Sequence, residues 1–565
     1  MNLFKYGLKL TAQILFVIIF FSSLHAKNLD KFNKGNYISN YFSGILLLNG
    51  NNYQKSYKFL DKLNGLEKSH INYSSKYIFS LVNSGRFVEA FNYSKKLEKM
   101  NLSNFESDLI TGIYYLKSKK YDLAEKYFLK LQKRDSKFII NDFVSNSLLN
   151  WTSFKNVNLE IAQNKIGKIN SRFESLKIIQ NVFLHCFYDS NKAEFFFKSL
   201  SKGEKIDFSR YNYFYASYLS GKGKINQAKK VINTSLDLHP RNVLLNQYKI
   251  DLKNKSFEKN FDCQNLSHIV AEILYITANA LSSQDIYSLS NFYLNLSKYL
   301  NKNFNSFDTL LAENFYKINN LEKAKKTYND IGKRGEAFLW YAALQNAKIL
   351  NKEEKNDKAL KTLEEAYEKL SNKKSAYVKF DYAQFLKNND KYKRSIKLYT
   401  EILKEVDKDH SLYAKAAHGR GVAYERTGEW DKAEKDLLSS LKEDSEQAYV
   451  INYLAYSWIE QGIKIDKSLE MLKKANDLKS NDPYIVDSLG WALFKLERYN
   501  DAKKYLQLAV QLLPSDPVIN DHYGDVLWKS GNAIQARYHW RYVLNLEEAE
   551  KTLKNKIKNK LILGL

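Results

Sequence analysis

Apolar residues along the chain fall in stripes spaced three and four positions apart and separated by short polar turns. That is the pattern of amphipathic helices, each burying one side. The stripes also recur at a fixed distance. Ala414, Ala448, Pro483 and Pro517 each open a stretch with small and bulky residues at set offsets. Ala414 leads to Gly421, Tyr424, Gly428, Ala433 and Leu437. Pro483 leads to Leu489, Gly490, Leu493, Ala502, Leu506, Ala509 and Pro514, and Pro517 to Gly524, Leu527, Gly531, Ala536 and Trp540. Successive starts lie 34 residues apart, with one extra residue in the turn from Gly462 to Asp466. A period of this length predicts one helix pair per unit and an all-α solenoid.

The register continues toward the N-terminus. Tyr37, Ile71 and Phe105 are again 34 apart, which puts Gly44, Ile78 and Gly112 at the eighth position and Ser56, Ala90 and Ala124 at the twentieth. Degenerate units follow from Ile139 with Trp151, Glu174 with Ala193, and Arg210 with Ala228 and Pro240. Between Asn242 and Asn265 the pattern lapses, and it resumes from Ala271 to Leu300, then at Asn305, Glu336 and Ala376. The expected organisation is a leader over 1–26, basic repeats over 27–242, an irregular junction over 243–265, a second array over 266–546 and a closing helix over 547–565. In that last helix Leu553, Ile557 and Leu561 share one face, and Lys551, Lys554, Lys556, Lys558 and Lys560 are expected on a solvated face.

The unit resembles the tetratricopeptide repeat, with a small eighth residue, alanine at the twentieth and a bulky apolar residue four later. Small residues there let the two helices of a pair approach closely while large neighbours fill the groove. The resemblance implies an α-solenoid, a right-handed superhelix of about thirteen helix pairs with a C-terminal capping helix. It also implies that the second, fifth, ninth, twelfth and thirteenth residues of each unit face a concave, peptide-binding groove. On this sequence those are Tyr449, Asn452, Tyr456, Ile459 and Glu460; then Tyr484, Asp487, Trp491, Phe494 and Lys495; then Val518, Asp521, Asp525, Trp528 and Lys529. Aromatic rings with interspersed carboxylates suit an extended or helical peptide of apolar and basic character. Some of these aromatics, Trp491 and Trp528 among them, have packing between repeats as their competing fate.

The chain of 565 residues exceeds a single core, and its 41 Tyr and 33 Phe supply enough burial to order it. Its start differs from the rest. Lys5 and Lys9 precede a mostly apolar run from Leu10 to Phe21, and Ser22-Ser-Leu-His-Ala26 then offers a small residue before a possible cut, the layout of a secretory signal. The run is too short for an ordinary spanning helix, and no lipobox cysteine follows it. A periplasmic, non-lipoprotein product is expected.

Net charge is +26, unevenly spread. Residues 1–250 hold 38 Lys and Arg against 18 Asp and Glu, whereas 401–550 hold 20 against 26. The lysines are scattered rather than striped, so no specific nucleic acid is expected. A basic N-terminal half suits no more than weak contact with an anionic envelope surface.

No catalytic constellation, metal set or cofactor motif is present in the sequence. Gly221-Lys-Gly-Lys224 lacks the length and ending of a phosphate loop, and no His pair stands at helical ligand spacing. Cys186, beside His185, is expected buried in a packed helix. Pairing of Cys186 with Cys263 is disfavoured because they fall in different repeats. The expected class is a non-enzymatic scaffold without catalytic residues, metal or cofactor.

The stretches Asn452-Tyr-Leu-Ala-Tyr-Ser-Trp458, Asp487-Ser-Leu-Gly-Trp491 and Ile519-Asn-Asp-His-Tyr-Gly-Asp525 are similar to those of large exported tetratricopeptide proteins of proteobacteria. That resemblance implies an adaptor binding envelope proteins or peptides, in some cases presenting substrates to a processing protease. A structural part of an envelope polysaccharide or outer-membrane export complex is the alternative.

Overall fold

The computed structural model describes residues 34–134, 139–201, 209–256, 260–304, 306–371 and 374–565; the expected leader over 1–26 lies outside them. Thirty α-helices and no strand occur among the described residues. The chain divides into two compact units, Met1–Glu353 and Glu354–Leu565. Within the units, thirteen antiparallel helix pairs follow one another along the chain.

Local chemistry starts and stops the helices. Asp482 and Asp516 cap the helices Pro483–Lys495 and Pro517–Lys529, their side chains accepting from the second and third backbone N–H groups. Proline at the first helical position lacks the N–H that would go unpaired there. Gly531, at φ 81°, makes the left-handed turn into the partner helix Ala533–Asn545. The small eighth position is explained by approach: a Cβ on Gly524 would lie 2.4 Å from Nε1 of Trp540.

The second unit is serial. Its pairs run from Ala376–Asn388 with Tyr392–Glu405 to Pro517–Lys529 with Ala533–Asn545; Asn356–Lys369 precedes them and Lys551–Leu563 closes them. Packing joins each helix to its immediate neighbours, and successive first helices touch one another more than successive second helices do. The array therefore curves with its first helices inside.

The first unit closes on itself. Tyr287–Leu300 packs on the first helices Ile71–Asn83 and Phe105–Lys117, and Leu266–Ser282 packs on Phe105–Lys117 and Ile139–Ser153. Phe79 stacks on Phe292 at 5.2 Å, and Phe87 on Tyr299 at 4.4 Å. Nζ of Lys117 donates to the Leu300 carbonyl at 2.8 Å, and Nζ of Lys323 to that of Asn51 at 2.9 Å. Leu266–Ser282 is buried nearly all round, as an interior helix must be when apolar on every side. A buried ion pair crosses this interior. The Arg210 guanidinium donates to both oxygens of Glu272, at 2.6 and 2.7 Å, and lies 3.8 Å from the Tyr275 ring centre. Burial pushes the Glu272 carboxyl up, and Arg210 opposes this only in part.

Two features differ from the sequence expectation. The junction over 243–265 contains a regular helix, Val243–Asn254, which packs on Glu336–Lys352, while the two compact units meet between Glu353 and Glu354. Cys186 and Cys263 are joined in a disulfide, with their Cα atoms 5.9 Å apart. Phe261 explains the encounter: it packs against Phe183 and Phe214, drawing its loop onto the helix Glu174–Phe187. Repeat membership says nothing about such contacts between distant units.

Candidate functional site

The expected groove residues all lie on the first helices Ala448–Glu460, Pro483–Lys495 and Pro517–Lys529, but the structure sorts them into two sets. The first set faces outward. Tyr449 is 52% and Tyr484 53% exposed, and Val518, one period further on, is exposed as well. The Tyr449 hydroxyl donates to Asp482 at 2.8 Å, and Lys479 lies over its ring. Asn452 and Tyr456 are half-buried beside them. The Asn452 Oδ1 is buried with no hydrogen-bond partner, and burial pushes the Tyr456 phenol up. Glu460 is exposed and accepts from Nε1 of Trp491 at 2.7 Å, while Phe494 is half-buried and Lys495 and Lys529 are exposed.

The second set is used up inside the array. Ile459 is core. Trp491 is only 7% exposed, stacked between Phe494 at 4.7 Å and His522 at 3.9 Å. Asp487 is buried and bonded to Nδ1 of His522 at 2.9 Å. Burial works against the charged imidazole, and Asp487 more than offsets it with help from Asp521 and Asp525, so His522 titrates above its ordinary value. Asp521 and Asp525 are buried too, and Nζ of Lys560 donates to them at 2.6 and 2.7 Å. Nε1 of Trp540 donates to Asp525 at 3.1 Å. Burial, with Asp521 beside it, raises the Asp525 carboxyl to about 6 against the pull of Lys560. Trp528 packs 5.5 Å from Trp540, beneath the backbone of Gly564.

Four expected ligand contacts, Asp487, Trp491, Asp521 and Asp525, therefore hold repeats to one another. The physical reason is that the fifth and ninth positions of a first helix also meet the next first helix. Sequence reading missed His522 and Lys560, and for Lys560 a signal existed. It stands seven residues after Leu553 and three after Ile557, on the apolar stripe and not on the solvated lysine face where it was expected.

The closing helix Lys551–Leu563 otherwise packs as expected, with Ile557 fully buried and Leu553 and Leu561 against the core. Upstream in the same array, His418 is pushed down to about 4 by burial and by Lys387. Among the described residues no group of His, Cys, Asp or Glu side chains is placed to hold a metal ion, and no helix is long and apolar enough to cross a membrane.

The family comparison agrees with the fold. Residues 318–549, less than half of the chain, match the tetratricopeptide repeat family model. A tetratricopeptide-repeat-containing protein of Pseudomonas aeruginosa is 29% identical over 143 residues, which cover 25% of this chain and 23% of that protein's length. Among solved structures, a tetratricopeptide protein of Thermus thermophilus is 14% identical, with TM-score 0.29, over 34% of this chain and all of that one. MamA is 21% identical with TM-score 0.26, over 30% of this chain and 99% of its own. YrrB, described as a tetratricopeptide protein with an unusual peptide-binding site, is 18% identical with TM-score 0.27, over 33% and 94%. The fold is an all-α tetratricopeptide-type solenoid, a class of scaffold whose concave surfaces bind other proteins.

Proposed function

We propose that the protein is a non-catalytic periplasmic scaffold that binds envelope proteins or peptides on the first-helix face of residues 354–565. The observation that carries this reading is a pair of large rings, Tyr449 and Tyr484, left half-exposed at the same position of successive first helices. Large rings left in water supply contact area at little entropy cost. The exposed Glu460, on the same first-helix side, favours a partner segment of basic character. In the first unit, by contrast, the first helices Ile71–Asn83 and Phe105–Lys117 are covered by later helices of the same unit.

Export is supported by the signal-like start and by the disulfide, a bond that persists in oxidising compartments. The scaffold reading is supported by helix pairs that run through both units among the described residues.

The test is a quantitative affinity purification from cell envelopes with the unaltered chain and with Tyr449→Ala/Tyr484→Ala. Both side chains stand on exposed helix surface, so the variant keeps its helical circular dichroism. Proteins enriched by the unaltered chain should be lost with the variant; undiminished enrichment contradicts the reading.

A further inference from the structure

The interface between Pro517–Lys529 and the closing helix breaks a rule that the earlier repeats keep. Lys560 occupies the register position held one, two, three and four periods earlier by Val526, Ala492, Ser457 and Ala423. Small or apolar residues at those places let first helices stack. At the last interface alone in this series a lysine enters and meets two buried carboxylates, Asp521 and Asp525, at 2.6 and 2.7 Å. A buried ion pair adds little net stability compared with apolar packing, because both charges lose water; what it adds is selectivity for a matching charge.

The helix so held is otherwise weakly tied. Ile557 is its only fully buried residue, while Ile562 and Leu563 are 77% and 83% exposed. Lys554 and Lys558, like Lys556 and Lys560, stand four apart and repel along the helix, and no side chain caps its start.

We propose that the pocket of Asp521, Asp525, Trp528 and Trp540 is a docking site for an amphipathic helix of a partner protein carrying lysine three residues after a branched apolar anchor, and that the chain's own C-terminal helix occupies it in the partner's absence. The occupant's chemistry is written in Leu553, Ile557, Lys560 and Leu561: three apolar side chains for the core edge and one ammonium for two carboxylates. A partner helix with that pattern displaces the closing helix and continues the stack in its place. The proposal is independent of the Tyr449–Tyr484 face, and the two readings fail separately because the assay below does not use that face.

The experiment is fluorescence anisotropy with a labelled peptide of residues 549–565 titrated with the full chain. A tethered helix competes at an effective concentration in the millimolar range, so the unaltered chain should bind the peptide at least about tenfold more weakly than Lys560→Ala. Adding Asp521→Asn and Asp525→Asn to Lys560→Ala should abolish the gain. Equal binding by the unaltered chain and a folded Lys560→Ala overturns the proposal, as does a gain that survives loss of both carboxylates. Should Lys560→Ala lose its helical circular dichroism, hydrogen exchange of the unaltered chain decides. Amides of 554–563 should exchange at least about tenfold faster than those of 537–545, and equal protection overturns the proposal. Light scattering that shows the unaltered chain as a dimer, dissociated by Lys560→Ala, assigns the site to a second copy and overturns it likewise.

Discussion

Both units are built from the same helix pair, yet one has filled its inner face and the other has left it open. In residues 1–353 the chain returns after Asn265 and lays Leu266–Ser282 and Tyr287–Leu300 against the first helices of its own early repeats. Distant residues then depend on one another: Arg210 on Glu272, Lys117 on Leu300, Cys186 on Cys263. In residues 354–565 each helix pair leans on its immediate neighbours, and the first-helix surface keeps exposed tyrosines. The lesson is that a repeat sequence specifies the pair, whereas the fate of the groove depends on whether another segment of the chain matches it.

The comparison breaks most sharply at the ion pair of the first unit. Arg210→Met leaves Glu272 buried and unpaired, and should destabilise that unit by about 3–5 kcal/mol. Denaturant-dependent hydrogen exchange should show the loss in Ser209–Gly221 and in Leu266–Ser282, which lies far along the chain. Changing both partners, Arg210→Met with Glu272→Leu, should recover most of it, and no recovery would mean that shape rather than charge holds the interior.

A smaller effect tests the serial character of the second unit. Ala502 is fully buried, and Ala502→Leu overpacks the contact between Pro483–Lys495 and Tyr499–Leu512 at a cost of about 1–3 kcal/mol. Nearest-neighbour coupling confines the damage to this pair and those flanking it. Exchange rates that rise equally in Ala376–Asn388 would show the unit to be as mutually dependent as the first.

The smallest effect is a pH dependence at the end of the second unit. Asp525 holds its proton up to about 6 in the folded chain, above its value when unfolded, so the folded state binds the extra proton between about pH 4 and 6. His522 is raised in the same sense. Stability gained from both groups is present at low pH and lost as pH rises through their folded values. Melting monitored by tryptophan fluorescence should show a gain on the order of 1 kcal/mol from pH 7 to pH 5, and Asp525→Asn should flatten most of it. A stability that instead rises with pH over this window would contradict the burial of that carboxylate.

Much of the fold was legible because helix pairing obeys local rules. Gly490, Gly524, Ala502 and Ala536 keep a spacing that only close helix approach requires, and Asp482-Pro483 and Asp516-Pro517 mark helix starts. The closing of the first unit was not legible, since the residues that join it are separated by dozens to hundreds of positions and follow no period. The site was legible in part. Position within the unit picked out one side of the first helices, where Tyr449 and Tyr484 stand exposed. It did not separate residues that meet solvent from those that meet the next first helix, because Asp487, Trp491, Asp521 and Asp525 lie where both surfaces join. His522 and Lys560 became visible only once the neighbouring helix was in place.

The difference between a filled and an open inner face is tested most directly by site-specific photocrosslinking in cells, with benzoylphenylalanine at Tyr484 in one strain and at Phe79 in another. Tyr484 should yield adducts with other proteins. Phe79, which stacks on Phe292, should yield only an internal link to Tyr287–Leu300. Adducts with other proteins from Phe79, or internal links alone from Tyr484, would contradict the assignment of one face as filled and the other as free.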